Sequence, residues 1–417
     1  MSTFIEEPMR SLLIVAGFNK THVMTAAAHA EARGQLAAVA YGGYPSARMA
    51  ARLTAAGLTR FPAIKRLIDR REPFPDERVA TDWAAEAAVQ ACLRLSGRLG
   101  SALNVGSFNR IGRLAARRLE TLPSIRLIHL RAGFGEGLIP AARARGVPIL
   151  CDHTIAHPRV LAHMIDHDGA WPDDPASVPI SPIWRVIERD IDASDHYSVN
   201  SQFVKDSMAR AGVDPDRISV LSLGVDRAFL DAADAARRRI AKPNDGPARI
   251  LFAGNLSRRK GSRVLAAAID RLGDLDYRLT LAGGVDDAET DAILARNQRA
   301  TRVGALSRVA LAEEMARTEL FIFPSLAEGS ARVVFEALAC GCAVVTTPNA
   351  GSIVGGDAEG WLTAPGDPDA FAEAIRDALS DRGRLRAIGE RNATAIRRDY
   401  GPNCYRDGLY GLWDRLP

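Results

Sequence analysis

Glu328 and Glu336 stand eight residues apart in the stretch FPSLAEGSARVVFEALACGCAVVTTPNAGS, residues 323–352. A strand end at Phe321 to Pro324 runs into a short loop with Glu328 and Gly329. A helix holding Glu336 follows, then a small-residue corner at Cys340 and Gly341, then a buried strand from Ala343 to Thr347. The two carboxylates therefore bracket a helix N-terminus at the C-terminal edge of a parallel sheet, where open α/β sheets bind ligands. The helix start offers unpaired N–H groups and partial positive charge to a phosphate. Gly329 has no Cβ, so a ligand can come close to the backbone. Carboxylates accept hydrogen bonds from sugar hydroxyls, each worth roughly 1.5–3 kcal/mol. The plainer reading is a pair of solvated glutamates on a surface helix.

A second segment weighs against that plainer reading. RILFAGNLSRRKGSRVLAAAI at 249–269 gives an apolar strand (Ile250 to Ala253), a turn at Gly254, a basic loop and an amphipathic helix after Gly261. Arg258, Arg259 and Lys260 sit just ahead of that helix. Such a loop can clamp a diphosphate without a metal and stabilise charge developing on a leaving group. Together the two segments predict a site for a phosphorylated sugar.

The elements that must hold these loops alternate strand and helix. Strands are expected at Leu12 to Ala16, Leu36 to Tyr41, Arg126 to Leu130, Pro148 to Cys151 and His196 to Val199, with a helix at Thr21 to Ala32. Further strands are expected near 250, 279, 320, 344 and 361. The class is α/β. With about 150 residues per domain as a guide, 417 residues suggest two or three domains. Residues 231–249 are polar and end in a Pro, Asn, Asp, Gly, Pro cluster, which places the interdomain linker there.

Composition bounds the partners. At 47% hydrophobic and 25% charged the chain is an ordinary globular protein. Nothing approaches the roughly 18 apolar residues of a membrane span, and Leu12 to Ala16, preceded by Glu6 and Glu7, is no signal peptide. Cys92, Cys151, Cys340, Cys342 and Cys404 lack CxxC spacing and read as reduced residues of a cytoplasmic protein. Residues 41–150 hold 18 basic and 8 acidic side chains, a net charge of +10 in a chain of +4. LTRFPAIKRLIDRR at 58–71 mixes Phe61, Ile64, Leu67 and Ile68 with five basic residues, as a surface touching anionic lipid would. A solvated helix reads the same way. No nucleic-acid motif accompanies the charge. No G-x-G-x-x-G follows the first strand, which disfavours a dinucleotide oxidoreductase.

His153, His157, His163 and His167 are interleaved with Asp152, Asp166 and Asp168. His-x3-His can hold a metal on one helix face. Pro158 argues against a continuous helix through the first pair, and no metal is expected.

With these segments in hand, the chain resembles the large family four of retaining glycosyltransferases (glycosyl transferases group 1, GT-B type). The resemblance spans roughly 120–400 and rests on CDHTIAHP at 151–158, ERDIDASDHYSVNSQFV with VLSLGVD within 188–226, GNLSRRKG at 254–261, the E-x7-E segment at 328–336 and EGWLTAPGDPDAFAEAI at 359–375. It implies a GT-B fold: two Rossmann-like doubly wound domains facing each other across a cleft. By the family pattern residues 1–235 form the acceptor-binding domain and 246–395 the nucleotide-sugar-binding domain. Residues 396–417 are a helix returning to the first domain.

The resemblance also implies roles. Glu328 contacts the donor sugar and Glu336 the ribose. Lys260 meets the diphosphate with Arg259 or Arg258 beside it, and the backbone of Gly329, Ser330 and Ala331 completes the sugar–phosphate pocket. Gly304, in the loop VGALS at 303–307, turns near the nucleobase, and Gly254 opens the basic loop. His153 lies near the donor sugar, and Gly17 where acceptor and diphosphate meet. Two departures stand out: Asn255 replaces the usual arginine after Gly254, and Phe18-Asn19-Lys20-Thr21 replaces a glycine pair, leaving Lys20 to bind an acceptor phosphate.

The expected activity is transfer of a sugar from a nucleotide-diphosphate sugar, without metal or cofactor. The acceptor is the hydroxyl of a glycan, a lipid-linked molecule or a small molecule, in bacterial polysaccharide or glycolipid assembly. The configuration is retained, and no carboxylate is placed as a glycosidase-type nucleophile. The alternatives are a non-catalytic nucleotide-sugar binder and another enzyme of the same scaffold, an epimerase or a phosphorylase. Donor sugar, base, acceptor and oligomeric state are not legible.

Overall fold

A computed structural model describes residues 11–92, 97–240, 246–356 and 358–417. The stretch with Glu6 and Glu7 and the core of the expected linker, 241–245, lie outside them. The first half runs β1 (Leu12–Gly17), β2 (Leu36–Tyr41), β3 (Val79–Thr81), β4 (Leu127–Arg131), β5 (Ile149–Asp152), β6 (His196–Val199) and β7 (Ile218–Val220). The second runs β8 (Ala248–Ala253), β9 (Tyr277–Ala282), β10 (Ala300–Gly304), β11 (Leu320–Phe323), β12 (Ala343–Thr346) and β13 (Trp361–Leu362).

Helices connect the strands, so neighbours pair in parallel. Among the described residues the sheets are ordered β3-β2-β1-β4-β5-β6-β7 and β10-β9-β8-β11-β12-β13. Strands covered on both faces must be apolar throughout. β1 reads LLIVAG and β11 reads LFIF, and every residue of both is buried. Each sheet reverses strand order once, at β1/β4 and at β8/β11, and the crevice for a ligand lies outside the strand ends at that point.

Residues 231–239, read as linker, are helical. The helix Arg227–Arg239 is capped by the Asp226 carboxylate, which accepts from the Phe229 N–H. Val225, Phe229, Leu230 and Ala233 join the core of the second sheet. The polar residues are simply that helix's outer face.

The last helix, Cys404–Arg415, crosses back to the first sheet. Trp413 is fully buried among first-half side chains, and the Arg126 guanidinium donates to the Trp413 and Leu416 carbonyls at 3.0 and 2.7 Å. No helix of the described residues is long and apolar enough to cross a membrane.

The halves touch along a seam. Gly329 lies against the Thr154 carbonyl, the Asn349 amide donates to the Gly169 carbonyl at 2.9 Å, and Arg258 donates to the Asp166 carbonyl at 3.0 Å.

Candidate active site

The β8/β11 reversal brings two loops together. After β8, Gly254 leads through Arg258–Lys260, a single 3-10 turn, to the helix Ser262–Asp270. After β11, Pro324 to Ala331 lead to the helix Arg332–Ala339. Neither helix has a side-chain cap at its N-terminus, so both starts keep N–H groups for another acceptor. Between them lies a cavity of about 510 Å³ lined by Gly254, Lys260, Glu328, Ser330, Ala331 and Glu336, with Gly283, Leu306, Arg308 and Arg332 around the rest.

At one end Glu328 meets two cations. Its Oε2 lies 2.7 Å from Arg259 Nη1, and its Oε1 lies 3.5 Å from Lys260 Nζ with no hydrogen-bond partner among the described residues. The Lys260 ammonium also sits 5.1 Å over the Phe323 ring. An anion with several oxygens would take over both cations and free the carboxylate. At the other end burial pushes the Glu336 carboxyl up, against the pull of Arg308 and Arg332. Arg308 Nη2 lies 3.5 Å from Glu336 and 2.6 Å from Asp226, which Arg332 also reaches at 3.2 Å.

Not every expected residue lines this cavity. Arg259 stands behind Glu328 and donates to the Ala327 carbonyl at 3.0 Å. Arg258 points away to the first half, so of the two arginines Arg259 is the one paired with Glu328. Gly304 ends β10, and the next two residues, Ala305 and Leu306, line the wall instead. Asn255 braces the neighbouring turn: its Oδ1 accepts from the Gly284 N–H at 3.1 Å.

Two glycines carry a different load from the one read in sequence. A Cβ on Gly329 would lie 1.8 Å from the Thr154 carbonyl oxygen, so the close approach there is made by the first half, not a ligand. The space beside Gly17 is filled by the Phe134 ring, 2.2 Å from a Cβ built there. Gly17, at φ +77°, leaves room for that ring.

His153 follows β5 and is buried; its Nε2 lies 3.3 Å from the Ala156 carbonyl oxygen, and burial lowers its pKa to about 4. It is a neutral imidazole at pH 7. Beside it the Asp152 carboxylate accepts from Ser198 Oγ at 3.0 Å and lies 2.7 Å from His22 Nε2. Lys20 lines another cavity of about 550 Å³ with Arg66 and Arg70. Its ammonium already holds Glu72 and the Asp69 carbonyl at 3.0 Å each.

Sequence reasoning missed Arg308, Arg332 and Asp226. Asp226 lies inside the motif VLSLGVD, but nothing there marks it as the partner of arginines 82 and 106 residues away.

Residues 247–381 match the family model described as glycosyl transferases, group 1. The chain is 32% identical over 246 residues to a D-inositol 3-phosphate glycosyltransferase of Xylanimonas cellulosilytica, covering 54% of this chain and 58% of that protein. It is 33% identical over 193 residues to a glycogen synthase of Mycobacterium tuberculosis, 43% of each. The chain thus spans little more than half the length of the first curated relatives it matches. Among solved structures, a sucrose-phosphate synthase from Thermosynechococcus elongatus superposes with a TM-score of 0.66 at 17% identity, over 98% of this chain and 99% of that one. Anabaena HepE in complex with UDP and glucose gives 0.62 at 15%, over 98% and 100%. The fold is GT-B.

Proposed function

We propose, for a chain whose residues 247–381 match the group 1 glycosyltransferase model, that it moves a sugar with retained configuration from a nucleoside diphosphate sugar to an acceptor hydroxyl. One observation carries this reading: one cavity has a cationic end, Lys260 with Arg259 behind it, both already paired with Glu328, and a half-buried Glu336 at its other end. A donor diphosphate takes the two cations and the helix starts. Glu328, released, accepts from a sugar hydroxyl, and Glu336 accepts from the ribose. The bond from the anomeric carbon to the phosphate oxygen breaks with its electron pair going to the diphosphate. The acceptor oxygen bonds on the same face, and its proton passes to a leaving phosphate oxygen. Lys260 and Arg259 meet the charge that develops there. Contact of the two halves excludes water that would hydrolyse the donor.

Structures of a neighbour solved with UDP and with UDP-glucose make UDP-sugars the first donors to try. Calorimetric titration of UDP-, GDP- and ADP-sugars should find one that binds. Glu336→Ala should weaken it about 10- to 100-fold, the value of a charge-assisted hydrogen bond. Absence of binding across the panel, or equal affinity in the variant, would overturn the reading. Release of nucleotide from the bound donor separates a transferase from a binding protein.

The acceptor belongs to the first half, and the reading extends to an anionic membrane, at the inner face of the cytoplasmic membrane where bacterial polysaccharide or glycolipid assembly would need it. Residues 32–68 contain no aspartate or glutamate. The helices Ala47–Ala55 and Pro62–Ile68 bury only Ala50; they carry Arg48, Arg52, Lys65 and Arg66 with Met49 exposed, and the connection between them adds Arg60 and an exposed Phe61. Each cation near an anionic bilayer contributes about 1 kcal/mol. Vesicles with anionic phospholipid should therefore sediment with the protein, and zwitterionic vesicles should not. Phe61→Glu or high salt should release it. Equal recovery with both lipids removes the membrane from this proposal.

A further inference from the structure

The loop proposed to hold the donor, Glu328 to Ala331, is gripped from the opposite half of the chain. The Ser201 hydroxyl donates to the Gly329 carbonyl. On the other side of the same residue the Thr154 carbonyl fills the place of a Cβ, and that carbonyl is itself fixed by the Asn200 amide at 3.1 Å. Asn200 and Ser201 are consecutive and sit at the C-terminal end of β6, so one short segment of the first half fixes both sides of Gly329. Both are buried, at 5% and 7% exposure.

The direction of that grip matters. In a trans peptide the carbonyl and the following N–H point to opposite sides of the backbone. With the Gly329 carbonyl held towards Ser201, the Ser330 N–H is turned to the other side of the backbone, and Ser330, unlike Gly329, lines the 510 Å³ cavity. Release of the carbonyl would let that peptide plane rotate. The Ser330 N–H would then be lost to a phosphate or sugar oxygen in the cavity.

The geometry points to Ser201 as a positioning residue that completes the donor site from the acceptor half. The inference rests on the transferase reading for its catalytic consequence, though not for the contact. It links the two halves: Glu328 and Ala331 are held by the Asn349 and Ala350 carbonyls of their own half, while the peptide between Gly329 and Ser330 keeps its orientation through the contact with the segment after β6. A donor held while the halves are apart has its diphosphate clamped by Lys260 and its ribose by Glu336, without the Ser330 amide. Such a state favours neither transfer nor hydrolysis.

The test compares wild type, Ser201→Ala and Ser201→Thr. Amide hydrogen exchange over residues 325–333, read by mass spectrometry without ligand, should quicken in the alanine variant and return to the wild-type rate with threonine. Exchange elsewhere in the second half should not change. In steady-state assays with the sugar nucleotide that binds, Ser201→Ala should lower kcat about tenfold, the equivalent of one hydrogen bond. KM and the affinity for the bare nucleoside diphosphate should stay within about threefold on the same scale, and threonine should restore kcat. Unchanged exchange over 325–333 overturns the inference whatever the assays show. So does a loss of kcat that tracks a general fall in Tm and that threonine does not repair. If wild type binds no sugar nucleotide, the transferase reading falls, while the exchange result still decides whether Ser201 holds the loop.

Discussion

Lys260→Ala is expected to lower kcat about 10²- to 10³-fold, the range for removing one preorganised donor from developing charge. Lys260 is the cation that lines the cavity at the Glu328 end. Its ammonium lies 3.5 Å from Glu328 and 5.1 Å from the Phe323 ring centre, with the side chain only 21% exposed. There its charge is screened less than at the surface, and it needs no rearrangement when a leaving diphosphate gains charge. Stability should change little, because Glu328 keeps its 2.7 Å contact with Arg259 after the lysine is gone. The check is nucleotide release at saturating donor together with Tm. Lys260→Arg should recover only part of the rate, since a planar guanidinium cannot occupy the position of a compact ammonium over the phenyl ring. A Lys260→Ala enzyme with kcat within threefold of wild type would mean that the diphosphate is neutralised elsewhere.

The pairing of Glu328 with Arg259 and Lys260 gives the ligand-free site its own counter-ion. An unpaired pair of cations in a half-buried cleft would carry a desolvation penalty and repel each other. The carboxylate removes both costs and sets a threshold for entry. A ligand must offer at least as much negative charge as Glu328, which a diphosphate does and a neutral sugar does not. On the proposed function, preference for an activated sugar over a free one would follow from the same three side chains.

Much of this site could be read from sequence because its parts are local. Glu328, Glu336, Lys260 and Gly254 fall in two βα units whose strands end in apolar runs, Ile250 to Ala253 and Leu320 to Phe323, and such runs fix loop positions to within a residue or two. β2 and β6 carry the expected bounds, and the expected β1 ends one residue short of the observed Gly17. The edge strand β10, ATRVG, was legible only as a loop, because its residues are exposed or half-buried and lack an apolar run.

What escaped were contacts between distant segments. Arg308, Arg332 and Asp226 meet only once three helix starts converge. Gly329 is correctly singled out as a close approach, but the approaching group is the Thr154 carbonyl, 175 positions earlier in the chain. A glycine announces that something comes near; it does not say what. The helix Arg227–Arg239 was hidden by composition: three arginines at its end and two aspartates along it outweigh the buried Phe229, Leu230, Ala233 and Ala236, whose spacing is helical.

Acid should destabilise the protein well above the range where carboxylates titrate. His153 and His157 are 4% and 3% exposed, and burial lowers their pKa values to about 4 and about 3. In the unfolded chain both take up a proton near the ordinary value of 6.5. Above that pH neither state binds the proton, and the contribution to stability is complete. As pH falls below it the unfolded state binds more protons, so stability falls with pH until the folded values are reached. Each group contributes about 1.4 kcal/mol per pH unit. Between pH 7 and pH 5 the two should remove about 2–4 kcal/mol, measured as a shift in urea midpoint at constant slope. Asp152 cannot produce this loss. Burial alone would raise its carboxyl, but His22 and His129 outweigh burial and hold it well below the usual carboxylate range. Its contribution is therefore whole above its unfolded value near 3.8 and disappears only at lower pH. His157→Gln should cut the change between pH 7 and pH 5 by about half, whatever it does to absolute stability, because one of two equivalent protons is then missing. A urea midpoint that is flat from pH 7 to pH 5 would mean that water reaches these imidazoles in the folded protein, and the neutral state assigned to His153 would fail with it.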